Sequence, residues 1–223
     1  REKRFAIAVK ELIRFKIYLP VIKMWNIILD RFYGIDTEII IELQSLGLGK
    51  IIGNRQESTP TRHITKILSF LPINSKDVFI DMGSGGGRVM IVAGRFPFMK
   101  IIGVDVSSKL NDICQNNINK MKNRLKCKNF ENITSNASDY RIPNEATIIY
   151  FFNPFGMEVM KDVFHSISNS VSVNPRKVTI IWYNPKYDQE LEQSFPVKKI
   201  KEMKWANFGL FNSRCLFYEM GIS

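Results

Sequence analysis

The chain has 223 residues, of which 45% are hydrophobic and 24% charged, and its formal net charge is +11. These proportions are typical of a globular protein with one large domain, or one domain and an appendage. The three cysteines are widely spaced and form no Cys-x-x-Cys pair. This pattern argues against a disulfide framework or a zinc site and favours a reducing, cytoplasmic compartment.

Lys or Arg interrupts every apolar run before it reaches the length of a membrane span, so no transmembrane segment is expected in this sequence. Because the chain begins at Arg1 rather than Met, the sequence leaves open a targeting or membrane segment upstream. The high positive charge invites a nucleic-acid partner. Lys, Asn and Ile are abundant together, however, and a basic footprint counts only where it is clustered on one face.

Residues 1–33 are predicted to be helical. Phe5, Val9 and Leu12 share one face with basic side chains opposite, and Pro20 breaks the pattern before a second apolar segment at residues 21–32. We favour a helical cap that packs on the main domain. The alternative is a helix at a membrane surface or at the substrate entrance, because its polar face is basic. We assign residues 1–57 to this extension and its Gly-rich connector.

From residue 58 onward, helices and strands are predicted to alternate, beginning with a helix start at Ser58, Thr59 and Pro60. Further helices are expected at residues 88–95, 107–121, 158–171 and 188–194. The predicted strands, short and apolar except for a weaker third, lie at residues 78–81, 100–105, 130–135, 147–153, 177–184, 197–204 and 214–220. Apolar strands that alternate with helices indicate a parallel sheet covered on both faces.

The first strand leads into the segment DVFIDMGSGGGRVMIVAG, which has four glycines between residues 83 and 87. Glycine inside an element costs about 0.5–1 kcal/mol relative to alanine, so this cluster needs a reason. In an open α/β sheet, ligands bind beyond the carboxyl ends of the strands, where this turn lies. The spacing excludes a P-loop, because no lysine follows. It also excludes the dinucleotide fingerprint, which would need glycine at Arg88 or Met90.

The spacing Asp81-x-Gly83-x-Gly85-x-Gly87, followed by Asp105 in GVDVS, resembles the class I S-adenosylmethionine-dependent methyltransferases. The resemblance implies a Rossmann-like, seven-stranded, mostly parallel sheet with helices on both faces and an antiparallel last strand. It covers residues 58–223, which we assign to the catalytic domain.

The same resemblance implies S-adenosylmethionine as the cofactor, with its methionine portion in the glycine turn and its ribose hydroxyls on Asp105. A carboxylate that accepts two O–H bonds is a strong contact that also fixes geometry. The implied cofactor-binding residues are Asp81, Gly83, Ser84, Gly85, Gly87, Asp105, Val106, Ser138, Asp139 and Asn153.

Two further segments match the family at later strand ends. Asp139 in NASDY follows the third strand, where the family places an acid near the adenine amino group. FFNPFG follows the fourth strand, where the family places its catalytic loop. It resembles the [ND]-PP-[FY] motif of amine-methylating members but has one proline fewer. The implied catalytic residues are Asn153, Pro154, Phe155 and Tyr183.

These residues have distinct expected roles. The Asn153 side chain and the Pro154 carbonyl accept hydrogen bonds from an amine and align its lone pair, while Phe155 walls the pocket. Tyr183 is a base or a cation–π partner, or it simply packs. Asn184 begins a second Asn-Pro pair that is expected to line the same cleft.

The segments RFYGIDTE, NRQESTPT, GSGGGRV, PFMKIIGVDVS and FFNPFG together look like a bacterial group of uncharacterised methyltransferases. That group is distantly similar to mitochondrial protein-lysine methyltransferases. The connection between the last two strands is expected to reach the acceptor rim, where Trp205, Phe208 and Phe211 either contact an aromatic or peptide substrate or pack in the core.

The basic segment at residues 120–128 is expected at the amino edge of the sheet, away from the cofactor, where a solvated surface is favoured over nucleic-acid binding. Four lysines along the sixth strand stay ambiguous. His63 and His165 are not spaced as a metal pair, so no metal is expected and a surface or capping role is favoured for both.

Three hypotheses follow for the function. The first is a methyltransferase that acts on a nitrogen of a protein lysine or a small molecule, and we favour it. The second is a nucleic-acid methyltransferase, supported by the charge and the Asn-Pro-Phe motif. The third is a non-catalytic module that binds S-adenosylmethionine. The identity of the acceptor, N- or O-methylation and the oligomeric state are not determined by the sequence.

Overall fold

The structure, a computed structural model, describes residues 16, 19–37, 58–152, 155–207 and 211–221. The helices are α1 (Leu19–Tyr33), α2 (Thr61–Ser69), α3 (Arg88–Ala93), α4 (Ser108–Met121), α5 (Met157–Val173) and α6 (Asp188–Ser194). The strands are β1 (Val78–Met82), β2 (Lys100–Asp105), β3 (Phe130–Thr134), β4 (Ile148–Phe151), β5 (Val178–Tyr183), β6 (Lys198–Asn207) and β7 (Phe211–Met220). The predicted helices and strands that lie within the described residues are confirmed, with ends that shift by a few residues.

The strands form one seven-stranded sheet in the order β3-β2-β1-β4-β5-β7-β6. The pairs among β1 to β5 are parallel, and β7 runs antiparallel to both β5 and β6. The predicted mostly parallel sheet with an antiparallel last strand is therefore confirmed. The strand order reverses between β1 and β4, so a crevice for a ligand is expected at the carboxyl ends of these two strands.

The sheet is covered on both faces because its central strands carry apolar side chains on both sides. One buried cluster joins the sheet to α2, α3 and α4, and a second joins its other face to α5 and α6. All five residues of β1 are buried, as are all four of β4. Such strands lack the polar alternation of a half-exposed sheet.

Helix α1 and the following residues 34–37 pack against the glycine turn and α4. The Asp36 backbone N–H donates to Asn117 Oδ1 at 3.0 Å, and Asn117 Nδ2 donates to the Gly86 carbonyl at 3.0 Å. Pro20 lies in the first turn of α1, where its missing N–H costs no hydrogen bond. The earlier part of the predicted helix at residues 1–15 and the connector at residues 38–57 lie outside the described residues.

Within the described ranges, no helix has both the length and the apolar character needed to cross a membrane. The three cysteines, which are all in the described ranges, are free and buried.

Candidate active site

The glycine turn joins β1 to α3 at the carboxyl edge of the sheet. Gly83, Gly85 and Gly87 have φ values of +87°, +51° and +86°, which L side chains rarely adopt. The backbone N–H groups of Gly83 and Ser84 both donate to the Val104 carbonyl, at 2.8 and 3.1 Å, so β2 holds the turn in place. At Gly87 a Cβ would also press into the Cys114 side chain. The alternate glycines are therefore required by the backbone of the turn.

Asp105, the last residue of β2, points its carboxylate at this turn. Its Oδ2 accepts a hydrogen bond from the Gly85 N–H, and its Oδ1 accepts one from the Ser107 N–H, both at 2.9 Å. Burial raises the pKa of the Asp105 carboxyl, while these backbone donors oppose the rise. Two carboxylate oxygens have about four acceptor positions, so Asp105 keeps capacity for further donors.

Asp81 lies beneath the turn and is only 2% exposed. Its Oδ2 is buried without a hydrogen-bond partner among the described residues, and so is Ser84 Oγ. Burial, with a smaller contribution from the Asp105 charge, raises the pKa of Asp81 to about 8. At neutral pH the Asp81 carboxyl is therefore mostly protonated and is a hydrogen-bond donor.

The segments that follow β2 and β3 lie side by side, because Asp105 pairs with Thr134 in the sheet. Val106 is exposed, Ser138 is half-buried and Asp139 is exposed. Ser138 Oγ contacts Asp139 Oδ1 at 3.3 Å. The structure therefore brings the predicted ribose and adenine residues to one accessible edge beside the glycine turn.

Beyond β4, the structure describes part of the predicted catalytic loop. Asn153 and Pro154 lie outside the described residues. Phe152 is half-buried against the cluster on the α2 to α4 face, whereas Phe155 packs against the cluster on the opposite face. The two phenylalanines, which flank the Asn-Pro pair in the sequence, therefore pack on opposite faces of the sheet.

Tyr183 ends β5 and is buried, and its hydroxyl forms a 2.8 Å hydrogen bond with His63 Nδ1. His63 is buried too, so the predicted surface or capping role for this residue is wrong. The cause is the packing of α2, whose buried residues are His63, Ile64, Ile67 and Leu68. The i, i+1, i+4, i+5 spacing of these four residues, which puts His63 on the apolar face of the helix, is present in the sequence and could have predicted a buried histidine. His165 is exposed, as expected.

His63 joins three aromatic side chains at the carboxyl ends of β4 and β5, which we call the aromatic cluster (His63, Phe152, Tyr183 and Trp205). His63 stacks on Trp205 with ring centroids 4.4 Å apart, and Phe152 meets Tyr183 edge-on at 5.1 Å. Burial, followed by the charges of Arg62 and Lys66, lowers the pKa of His63 to about 4. The imidazole in this cluster is therefore neutral at physiological pH.

Asn184 and Trp205, two other residues considered in the sequence analysis, contact neighbouring strands or rings. Asn184 has a φ of +47°, and its Oδ1 accepts a hydrogen bond from the Arg214 backbone N–H at 2.9 Å. Its amide oxygen therefore joins β5 to β7. Trp205 is half-buried in the aromatic cluster, while Phe208 and the Phe211 side chain lie outside the described residues.

The basic segment at residues 120–128 lies between α4 and β3, at the amino edge of the sheet as predicted. On β6, Lys199 pairs with Glu192 at 3.0 Å and Lys204 with Glu202 at 3.4 Å. Across the described part of the chain, no group of His, Cys, Asp and Glu side chains has the arrangement of a metal site.

Comparison with known proteins agrees with this geometry. The model of the family described as "Histone methylation protein DOT1" matches residues 57–164, which include the glycine turn, Asp105 and the predicted catalytic loop. No curated protein sequence matches the chain.

Solved structures share the fold at low identity. An RNA methyltransferase from Salinibacter ruber in complex with S-adenosyl-L-homocysteine is 15% identical, with a TM-score of 0.53 over 74% of this chain and 95% of that chain. A magnesium protoporphyrin IX methyltransferase from Synechocystis PCC 6803 with bound S-adenosylmethionine is 14% identical, with a TM-score of 0.53 over 71% and 78% of the two chains. A precorrin-6y C5,15-methyltransferase from Geobacter metallireducens is 12% identical, with a TM-score of 0.53 over 78% and 95%.

The family match and the fold together define this chain as a class I S-adenosylmethionine-dependent methyltransferase. The predicted class and the predicted cofactor, S-adenosylmethionine, are confirmed.

Proposed function

We propose that the enzyme holds S-adenosylmethionine at the glycine turn and methylates an amine nitrogen, with the side chain of a protein lysine as the favoured acceptor. Residues 58–223 form the catalytic domain in this proposal, and residues 1–57 form its extension. The buried free cysteines and the reducing compartment they favour support a cytoplasmic site of action.

The glycine turn offers groups that fit the cofactor. Asp105 has remaining acceptor positions for the two ribose hydroxyls. The buried Asp81 and Ser84 have polar atoms without partners among the described residues, and buried polar atoms are usually paired, which favours a ligand or water as the missing partner. Ser138 and Asp139 are accessible to the adenine, beside Val106. When bound, the cofactor supplies an electrophilic sulfonium methyl group.

The aromatic cluster carries the proposal of an amine acceptor. A lysine must lose its proton before its nitrogen attacks a methyl carbon, and an apolar pocket lowers the pKa of an amine by disfavouring the charged form. Phe152, Tyr183 and Trp205 provide such a wall, and the neutral His63 adds no charge. The match to a family described by histone methylation supports a protein as the acceptor.

Alignment of the acceptor is the main task of the catalytic loop. Asn153 and the Pro154 carbonyl accept hydrogen bonds from the amine N–H groups and turn its lone pair towards the cofactor. The new N–C bond forms as the C–S bond breaks with its electron pair on sulfur, and the methylated amine then releases a proton to water. Tyr183 orders the pocket through its hydrogen bond to His63 and its edge-on contact with Phe152.

A nucleic-acid acceptor is the second candidate, because solved relatives include RNA methyltransferases and the chain carries a charge of +11. The main basic segment lies at the amino edge of the sheet, however, opposite the glycine turn. A strand of nucleic acid bound there does not deliver a base to the aromatic cluster.

The purified enzyme, incubated with a cell lysate and S-adenosylmethionine labelled on its methyl group, distinguishes these acceptors. We expect label in material that protease degrades and nuclease does not, and methylated lysine after acid hydrolysis. The Asp105→Ala variant serves as the control for background transfer. Label that nuclease releases would assign the enzyme to nucleic acids and contradict the lysine proposal.

A further inference from the structure

Helix α1 packs on the domain through its polar face and leaves its apolar face exposed. Its buried face carries Asn26 and Asp30, which are 4% and 7% exposed. The opposite face exposes five large apolar side chains, with Trp25 58% and Phe32 74% exposed, and comprises Met24, Trp25, Ile28, Leu29 and Phe32. An amphipathic helix of a globular domain normally buries its apolar stripe. An apolar surface of this kind marks an interaction site.

A buried ionic clamp fixes this orientation. Asp30 Oδ2 accepts a hydrogen bond from the Thr37 N–H at 2.7 Å and pairs with Arg88 Nη2 at 3.3 Å. Arg88 Nε donates to Thr37 Oγ1 at 2.8 Å. Arg88 begins α3, directly after the glycine turn. Rotation of α1 to bury its apolar face would break this clamp and leave the buried Arg88 charge without its carboxylate, which is strongly unfavourable.

Basic side chains are exposed along α1, with Arg31 next to the apolar face and Lys23 on the side of the helix that carries Asn26 and Asp30. Lys16, Lys23 and Arg31 are exposed on or beside α1, and the sole acidic residue of α1, Asp30, is neutralised in the clamp. The carboxyl end of α1 reaches the basic segment of the amino edge. Lys120 Nζ donates to the Gly34 carbonyl at 2.8 Å, and the Arg124 guanidinium lies 5.0 Å from the centre of the Tyr33 ring.

The basic segment extends this positive surface away from the active site. Its exposed members are Lys120, Lys122, Arg124, Lys126 and Lys128. Residues 113–130 contain no acidic side chain. The contacts of Gly34 and Tyr33 therefore place the apolar face of α1 and the basic segment next to each other on one surface.

We propose that α1 and this basic segment seat the enzyme on an anionic lipid bilayer. The apolar side chains enter the boundary between headgroups and acyl chains, with the helix axis parallel to the membrane plane. Trp25 and Phe32 suit this depth, because aromatic side chains favour the interface. The surrounding lysines and arginines pair with anionic headgroups, each strengthening binding while it is near the surface.

Charge favours a bilayer over a second copy of the chain as the occupant. A twofold contact through this face would bring the basic groups beside it, Arg31 and the basic segment, close to those of the other copy, and such like-charge contacts are unfavourable. An anionic surface instead complements Arg31 and the basic segment that adjoin the apolar face. We place the helix on the bilayer surface, because the described α1 has 15 residues, fewer than a span needs.

The test uses the full chain and sedimentation with vesicles of phosphatidylcholine alone or mixed with phosphatidylserine. We expect binding to the mixed vesicles, weaker binding to phosphatidylcholine alone, and release at high salt, because salt screens the charge attraction. The Trp25 fluorescence, taken as the difference between the wild type and Trp25→Phe because the chain has three tryptophans, should shift to shorter wavelength on binding. Phe32→Ser should weaken partitioning by about tenfold or more, because it removes one large apolar insertion.

Matched control variants distinguish binding through this surface from nonspecific hydrophobic or electrostatic binding elsewhere on the protein. Val173→Ser changes an exposed apolar residue at the end of α5, on the opposite side of the sheet, and should leave binding unchanged. Lys122→Gln and Lys126→Gln should each weaken binding about fivefold. Lys161→Gln, on the exposed face of α5, should not. The affinity for S-adenosylhomocysteine, measured on each variant, verifies that the protein is folded.

Three results would overturn the proposal. The first is equal binding to both kinds of vesicle, or none. The second is a Trp25 emission that is already short in wavelength in buffer and is unchanged by vesicles, because the face is then covered within the chain. The third is a dimer that Phe32→Ser dissociates, which assigns the face to self-association. None of these outcomes depends on the acceptor of the methyl group.

Discussion

The two halves of the carboxyl edge of the sheet are lined by different chemical groups. Beside β1 and β2, the edge consists of backbone in a left-handed conformation and two buried carboxyl groups, Asp81 and Asp105. Beside β4 and β5, it consists of the rings of the aromatic cluster. The first half presents hydrogen-bonding groups in fixed positions, whereas the second presents an apolar wall with few charges.

This difference matches a division of labour in methyl transfer. A cofactor shared by a large class of enzymes favours a site of backbone and carboxylates, whose geometry leaves little freedom. An acceptor that differs from one enzyme to another favours side chains, which can change without altering the sheet. We therefore expect substitutions in the glycine half to weaken cofactor binding, and substitutions in the aromatic half to slow methyl transfer.

The largest effect is expected for Gly87→Ala. The left-handed backbone costs a non-glycine residue about 1–2 kcal/mol, and the new methyl group presses on Cys114, adding about 1–3 kcal/mol of overpacking. Chemical denaturation should show a loss of about 2–5 kcal/mol in the free energy of unfolding, with weaker cofactor binding. Gly156→Ala is the control, since Gly156 has a φ of −68° and open space at its Cβ. An equal loss in both variants would refute a special requirement at Gly87.

Asn153→Ala tests the acceptor side. If Asn153 aligns the amine, the rate of methyl transfer should fall by about two orders of magnitude or more while the affinity for S-adenosylhomocysteine stays nearly intact. Asn169→Ala makes the same chemical change on the exposed face of α5 and should affect neither quantity. A stable Asn153→Ala protein with wild-type transfer would remove Asn153 from catalysis and leave Tyr183 as the stronger candidate.

Asp105→Ala tests the cofactor side. Loss of hydrogen bonds to a charged carboxylate should reduce cofactor affinity by about 1.5–3 kcal/mol, as measured by calorimetry. Asp112→Ala removes an exposed carboxylate one turn along α4 and should leave the affinity unchanged. If the folded Asp105→Ala protein binds the cofactor as the wild type does, the ribose role is wrong.

The effect that is smallest within any one pH unit concerns Asp81. Its pKa rises from 3.8 to about 8 on folding, so between these values the folded chain keeps a proton that the unfolded chain has lost. The free energy of unfolding should therefore fall as pH rises through this window. Asp81→Asn removes this contribution, so its stability relative to the wild type should grow by up to about 1.4 kcal/mol per pH unit.

Denaturation of wild type and Asp81→Asn across the same pH range measures this difference. Asp162→Asn, on the exposed face of α5, is the control and should follow the wild type. Parallel curves for Asp81→Asn and the wild type would show that the buried carboxyl does not keep its proton on folding.

The glycine half was predictable from the sequence because local backbone geometry restricts the residue at each position. Three left-handed turn positions, of which Gly87 is one, demand glycine, and the apolar strands on either side fix where the turn lies. The short helix Asp188–Ser194 was likewise predicted at its observed position, because turn residues and apolar strands bracket it. The mostly parallel sheet of seven strands with an antiparallel last strand followed from the resemblance to the methyltransferase class.

The aromatic half and the orientation of α1 depend on contacts between distant residues. His63 and Tyr183 are 120 residues apart, and the sequence spacing around His63 showed a buried face but not its partner. Which face of α1 is buried depends on the contact between Asp30 and Arg88, which are 58 residues apart. Without this contact, the apolar face would be expected to pack inwards. Hydrophobic periodicity identifies a helix face, and only tertiary pairing decides where that face points.

A crystal structure of the protein with S-adenosylhomocysteine tests the central claim most directly. The account predicts ribose hydroxyls within hydrogen-bond distance of the Asp105 carboxylate, the amino acid portion over the glycine turn, and the sulfur facing the aromatic cluster. A ligand whose ribose does not touch Asp105, or whose sulfur faces away from Phe152, Tyr183 and Trp205, would contradict the division of the carboxyl edge into a cofactor half and an acceptor half.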